Sequence, residues 1–181
     1  MKIHILGAPG SGVTTLGKGL AMRLAVPCFD TDDYHWFTND ALPYRRRRNP
    51  DHRRQLMGED LSKHESWVLS GAMCGWGDVF IPLFDRVIYL WLPVETRLTR
   101  IRERETLRYG AARIEPGGDL FEVFEKFMSW AAAYDEPTGN IRSFQKEQEW
   151  LQAMNCPVLK FDQEKTLGEM LQTTQDWLNN A

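Results

Sequence analysis

The chain has 181 residues, a formal net charge of −3 and 43% hydrophobic residues. That fits one domain burying roughly 70% of its unfolded surface without a metal or disulfide staple, and it excludes a global attraction to nucleic acid or membrane. Cys28, Cys74 and Cys156 are odd in number, widely spaced and not in C-x-x-C form, which points to the reducing cytoplasm and away from a zinc site; no stretch reaches the ~18 apolar residues of a membrane span, and the N-terminal apolar run is too short for a signal peptide.

In chain order, KIHIL (2–6) reads as a short strand stopped by Gly7. Residues 13–25 carry Val13, Leu16, Leu20 and Leu24 at helical spacing. PCFD predicts a second strand and residues 51–65 a helix; WVLS (67–70) is a third strand, ended by the Gly-rich GAMCGWGD. DRVIYLWL (85–92) is apolar enough for a strand buried on both faces. Pro93 opens a helix, with Glu95 near its positive end. GGDLFEVFEKFMSWAAAYD and NIRSFQKEQEWLQAM are amphipathic helices, CPVLKFD is a fifth strand, and TLGEMLQTTQDWL closes the chain as a helix. Strands alternating with helices predict a parallel sheet covered on both faces. The segment 104–119, rich in Arg and containing Gly, is the candidate mobile flap.

The first strand–turn–helix carries the sharpest motif. GAPGSGVTT nearly satisfies the phosphate-loop pattern G-x-x-x-x-G-K-[ST], with Gly7, Gly12 and Thr14 in place but Val13 where the Lys belongs. Gly7, Gly10 and Gly12 allow a tight turn that aims backbone N–H groups at one spot, with Ser11 among them, and the following helix adds its positive end. Thr14 is the candidate Mg2+ ligand and Thr15 a second phosphate contact. A second register, GVTTLGKG, has Lys18 but lacks the final Ser or Thr and starts inside the helix, so Lys18 is read as solvent-facing. Without the Lys, binding can rest on backbone and Mg2+, while catalysis needs a substitute cation, for which an Arg from elsewhere suffices.

FDTDDYHW follows the second strand and brings Asp30, Asp32 and Asp33 to the sheet edge where α/β proteins bind ligands. Such carboxylates hold Mg2+ through water or take a proton from a hydroxyl; equally, they cap a helix. Strand alternation would point Asp30 and Asp32 the same way. After the third strand, Ser70 stands where a Walker B strand ends in Asp, and Gly71, Gly75 and Gly77 would let backbone approach a small substrate. Cys74, with no His nearby in sequence, reads as a bystander. Two Arg clusters remain. Arg97, Arg100, Arg102, Arg104, Arg108 and Arg113 form either a solvated helix or a phosphate-binding lid. Arg45, Arg46, Arg47 and Arg48 form a solvated run, or contact an anionic substrate or RNA.

Together these segments resemble the shikimate kinase, gluconate kinase and adenylate kinase group of P-loop small-molecule kinases. The chain also resembles a subgroup with a non-Lys residue in this loop whose members are often labelled AAA-family or P-loop ATPases. GAPGSGVTT looks like the loop, FDTDD like the acidic turn, LSGAMCG like the substrate loop, and DRVIYLWLPVETRLTRIRER like the strand-Pro-helix leading into an Arg-bearing lid. The resemblance implies a P-loop three-layer α/β sandwich with a five-stranded parallel sheet in order 2-3-1-4-5. It implies one domain over 1–181, with a lid at 104–119 and a substrate-binding helical region at 33–66. It implies ATP or another nucleotide on Gly7–Thr15 with Arg100 and Arg104, and Mg2+ on Thr14 and Asp32. Asp30, Asp32, Arg104 and Arg142 become the candidate catalytic residues. Asp32, Arg53, Arg54, Gly71 and Gly75 would face a small-molecule acceptor. Val13, the absence of a clear adenylate-kinase lid pattern and a loop that is not GGG depart from the group. The expected activity is ATP-dependent phosphotransfer; the alternatives are a nucleotide-binding regulator without kinase activity and a polynucleotide kinase.

Overall fold

A computed structural model of the protein describes residues 1–37, 39, 46–136 and 142–180. Five parallel strands form one sheet: β1 (Lys2–Gly7), β2 (Cys28–Asp30), β3 (Trp67–Ser70), β4 (Arg86–Leu90) and β5 (Val158–Phe161). Their order is β2-β3-β1-β4-β5, the order the sequence resemblance implies. Lys2 pairs with Trp67 on one side of β1, and Gly7 with Leu90 on the other. The helices are α1 (Val13–Leu24), α2 (Thr31–His35), α3 (Pro50–Leu61), α4 (Val94–Tyr109), α5 (Ala111–Ile114), α6 (Phe121–Ala132), α7 (Phe144–Leu151) and α8 (Leu167–Asn179). Short 3-10 turns cover Asp78–Leu83 and Ala133–Asp135.

The period-two alternation of the strands sorts the core into two layers. Ile3, Ile5, Val68 and Ile88 face Leu16, Leu20 and Ala21 of α1 and Met170 and Leu171 of α8. Leu6, Trp67, Leu69, Val87 and Tyr89 face the opposite layer, with Met57 and Leu61 of α3, Trp150 of α7, and Phe80 and Phe84 in and after the 3-10 turn Asp78–Leu83. Helices therefore cover both faces, and the apolar β1 and β4 are buried between them. A third cluster, Ile101, Ile114, Leu120, Phe124, Met128 and Ala131, joins α4, α5 and α6 to one another.

The ends of several elements differ from the sequence expectation for local reasons. The helix expected over 51–65 runs from Pro50 at its first turn, where Asn49 caps Asp51 N–H, and stops at Leu61. The helix expected over 140–154 is confined, among described residues, to α7, which Ser143 caps through Lys146 N–H. The expected flap begins inside α4, because Ile101 and Glu105 continue that helix's buried stripe. Gly110 then breaks the helix with φ 85°. The acidic turn is itself the start of a helix: Asp30 is the N-cap of α2 and accepts from Asp32 N–H at 3.0 Å. The strand-alternation argument for Asp30 and Asp32 fails there, since the chain leaves β2 at Asp30.

Candidate phosphate-binding site

The loop between β1 and α1 lies at the carboxyl edge of the central strand. Ala8 N–H donates to Leu90 O at 3.0 Å, and the buried Ser11 hydroxyl donates to Ala8 O at 2.8 Å, so Ser11 shapes the loop from within. Gly10 adopts φ 84°, and a Cβ there would lie 2.6 Å from Arg97 O; α4 passes too close for any side chain. Gly12 is the N-cap of α1 with φ 100° and supplies no side-chain cap. The first N–H groups of α1 thus carry no capping oxygen, the arrangement that receives an anion. Thr14 and Thr15 are exposed in the first turn. Val13 instead turns its side chain onto the layer of α1 and α8, so the position that usually supplies an ammonium supplies packing.

The acidic turn faces this loop. The Thr14 hydroxyl donates to Asp30 Oδ2 at 3.0 Å. Asp32 keeps solvent access but sits in a cleft surrounded by protein; burial, then the neighbouring Asp30, raises its carboxyl above the ordinary range, with Arg142 opposing. Burial and Asp30 also raise Asp33. Among the described residues no group of three His, Cys, Asp or Glu side chains has metal-holding geometry. One hydroxyl beside one carboxylate does suit Mg2+, which keeps several waters and takes its other ligands from phosphate.

Among the described residues, Arg142 and Arg97 hydrogen-bond to carbonyls of the loop. Arg142 Nη2 donates to Gly7 O at 3.0 Å and its Nε to Glu147 Oε1 at 3.3 Å, with the guanidinium over Trp130. Arg97 is fully buried and donates to Leu92 O at 2.8 Å, Ala131 O at 3.2 Å and Pro9 O at 3.4 Å, and to the Asp135 carboxylate. Arg97 therefore belongs to the frame of the loop. The sequence placed it only in a cluster; the missed signal is Arg97, Ile101 and Glu105 at four-residue spacing, a buried stripe carrying two charges.

The other arginines are placed differently. Arg100 bonds Glu164 at 2.8 Å and, with Ser11, Trp91, Phe161 and Gln163, lines a small cavity beside the loop. Arg104 donates to Glu105 at 2.8 Å and lies over Phe127 rather than at the loop. Arg113 pairs with Asp119 at 2.6 Å. Arg48 donates to Asp33 O at 2.6 Å, to Tyr34 O at 3.2 Å and to Trp36 O, closing the end of α2. Arg46 stands over Phe37 and Arg47 over Trp36; Arg45 lies outside the described residues.

On α3, Arg53 is 7% exposed, donates Nε–H to Arg48 O at 2.8 Å and stands over Trp76. Among the described residues it has no acidic partner. Arg54 donates to Trp76 O at 3.1 Å and to Asp51. Burial, then Arg53, Arg47 and Arg142, lowers His35 to about 4 and keeps it neutral. Gly71, with φ 115°, lets the end of β3 pass Thr31, whose Oγ1 would be 2.0 Å from a Cβ. Gly75 has φ 78° in the turn that follows. Burial pushes the Cys74 thiol up to about 12, which removes it as a nucleophile at neutral pH.

Residues 3–116 match the model of AAA_18, an AAA domain. The chain belongs to the AAA_18 family of P-loop domains. This AAA_18 chain is 39% identical over 178 residues to the uncharacterized protein YqaC of Bacillus subtilis, covering 98% of this chain and 97% of that one. It is 30% identical over 140 residues to the cytidylate kinase of Archaeoglobus fulgidus, covering 72% of this chain and 75% of that one. A shikimate kinase from Bacteroides thetaiotaomicron has the same fold with a TM-score of 0.56 at 18% identity, over 99% of this chain and 98% of that one. A P-loop of this family binds nucleotides in general. No helix among the described residues is long and apolar enough to cross a membrane.

Proposed function

We propose that this AAA_18 domain is an ATP- and Mg2+-dependent phosphotransferase acting on a small molecule, with Arg142 doing the work of the missing loop Lys. The observation that carries this reading is the Arg142 guanidinium bonded to Gly7 O at the base of the loop. From there its charge bears on Asp32, His35 and Cys74 across the cleft. Bound Mg2+ would neutralise charge between neighbouring phosphates, with Thr14 and Asp30 as its protein-side partners. The first N–H groups of α1 hold the phosphates. Asp32, with its raised carboxyl, would accept the proton of the acceptor hydroxyl as the new oxygen–phosphorus bond forms and the bond between the γ-phosphorus and the β,γ-bridging oxygen breaks, that oxygen leaving with ADP. Arg142 balances the negative charge on the transferring group. Arg53, nearly buried and without a carboxylate partner among the described residues, suits an acceptor bearing an anionic group.

A thermal-shift panel with ATP, GTP, Mg2+ and candidate acceptors tests this. An acceptor that stabilises only when Mg·ATP is present, and is phosphorylated, supports it. Stabilisation by nucleotide with no turnover on any acceptor favours a nucleotide-binding regulator, the reading that the packed Val13 supports. Val13→Lys separates the two: turnover gained from nothing marks a degenerate binder, while altered or lowered existing turnover marks a working loop.

A further inference from the structure

Arg142 is held by a buried chain of hydrogen bonds that the nucleotide site does not itself require. Glu147 on α7 is completely buried. Its Oε1 accepts from Arg142 Nε, and its Oε2 accepts from the Tyr134 hydroxyl at 2.5 Å. The Tyr134 hydroxyl is 2.8 Å from that of Tyr89, itself 2% exposed. Tyr89 lies on β4 opposite Leu6 and directly precedes Leu90, the strand partner of Gly7. The chain therefore starts on β4 beside the loop and returns, through Arg142, to Gly7 O.

A buried carboxylate is costly to desolvate, and a well-packed apolar pair of similar volume often serves stability as well or better. What the ionic chain supplies is geometry. Glu147 fixes one edge of the guanidinium and Gly7 O another, while 29% of the Arg142 side chain stays open to the cleft. Tyr134 occupies the second carboxylate oxygen, so Glu147 cannot rotate away without losing that bond.

We infer that Glu147, clamped by Tyr134 and Tyr89, is a positioning residue that fixes Arg142 against the phosphate loop. The inference rests on the reading of Arg142 as the cation that replaces the loop Lys. The same chain reaches the loop from the lid side, because Tyr134 is followed by Asp135, the partner of Arg97. Consecutive residues of one 3-10 turn thus hold the two arginines that grip Gly7 and Pro9.

Two measurements on the full chain test it. The first is hydrogen exchange at the Arg142 Nε–H by 15N-edited NMR, assigned by its disappearance in Arg142→Ala. The buried Arg97 Nε–H, bonded to Leu92 O, serves as internal reference. Glu147→Gln is expected to speed Arg142 Nε–H exchange at least tenfold and Tyr134→Phe several-fold, with Arg97 unchanged. The second is Mg·ATP turnover in a double-mutant cycle. Glu147→Gln is expected to lower kcat about tenfold and Arg142→Ala at least tenfold, and the two together no more than Arg142→Ala alone. Unchanged Arg142 exchange in Glu147→Gln overturns the inference, as does a double variant whose losses multiply to about a hundredfold. A wild-type protein that neither binds nor turns over Mg·ATP overturns the phosphotransfer reading instead, and the exchange measurement then decides whether Glu147 positions Arg142.

Discussion

The arginines of α4 divide along one helix, over about three turns. Arg97, in the first turn, is fully buried and forks onto three carbonyls and a carboxylate around the base of the phosphate loop. Arg100, Arg104 and Arg108, farther along, meet Glu164 and Glu105 from the surface. The same side chain is frame in one place and solvated charge in the other, because desolvation makes a buried guanidinium depend on each of its acceptors. Number of arginines therefore says little about which of them bears on phosphate; what their donors hold says more.

The frame is the place to break first. Arg97→Met should cost about 3 kcal/mol of unfolding free energy, toward the lower end for a broken buried pair, since Asp135 retains 32% of its side-chain exposure. Urea denaturation measures it. Arg97→Lys should recover little, because one ammonium cannot span the acceptors that the planar fork reaches. A loss under ~1 kcal/mol for Arg97→Met would place Arg97 with the surface arginines.

Acid separates the regions next. His4, on the strand leading into the loop, is fully buried and stacked on Phe84, with Nδ1–H donating to Leu69 O. Desolvation lowers it from 6.5 to about 3. Its folded value lies below its unfolded value, so its contribution is fully present above pH 6.5 and is lost as pH falls toward 3. Within that window stability should drop by up to about 1.4 kcal/mol per pH unit from this group. His4→Phe should flatten that limb of a pH series of melts. An equally steep limb in the variant would assign acid sensitivity elsewhere.

Turnover sharpens the comparison at the site. Arg142→Ala should lower kcat for Mg·ATP-dependent transfer at least tenfold, about 1.4 kcal/mol of barrier, and should also lower the melting temperature, because it leaves the buried Glu147 carboxylate without its cation. Arg104→Ala should lower it less, because its guanidinium rests on Glu105 and Phe127. A larger effect at Arg104 would mean that this arginine moves to the phosphates.

The sequence made the sheet legible because its strands and helices are local patterns. Strand, glycine turn, helix and alternating apolar runs are written in consecutive residues, and the order of the strands came with the resemblance. The phosphate loop was legible for the same reason. What the sequence could not place were contacts made at long range. Tyr89, Tyr134 and Glu147 lie on separate elements, and only folding brings their oxygens together. Glu147 shares a helix face with Trp150 and Leu151, so a charge on an apolar stripe was the available sign. The acidic turn misled differently: Asp30 is an N-cap, and the start of α2 replaced strand alternation just where the argument depended on it.

The smallest effect belongs to the surface. Arg100→Gln removes the 2.8 Å contact with Glu164, whose side chain is 63% exposed while that of Arg100 is 36% exposed. Water screens such a pair, and ordering two long side chains offsets its attraction, so stability should change by no more than about 0.5 kcal/mol at low salt. Raising ionic strength from 0.01 to 1 M shortens the screening length from about 30 to about 3 Å, and the difference between wild type and variant should shrink with it. The Arg97→Met deficit should keep its size across the same salt series, because no ions reach a fully buried guanidinium. If both deficits fell together, the division along α4 would be one of degree, and Arg97 would share the solvent environment of the outer turns of that helix.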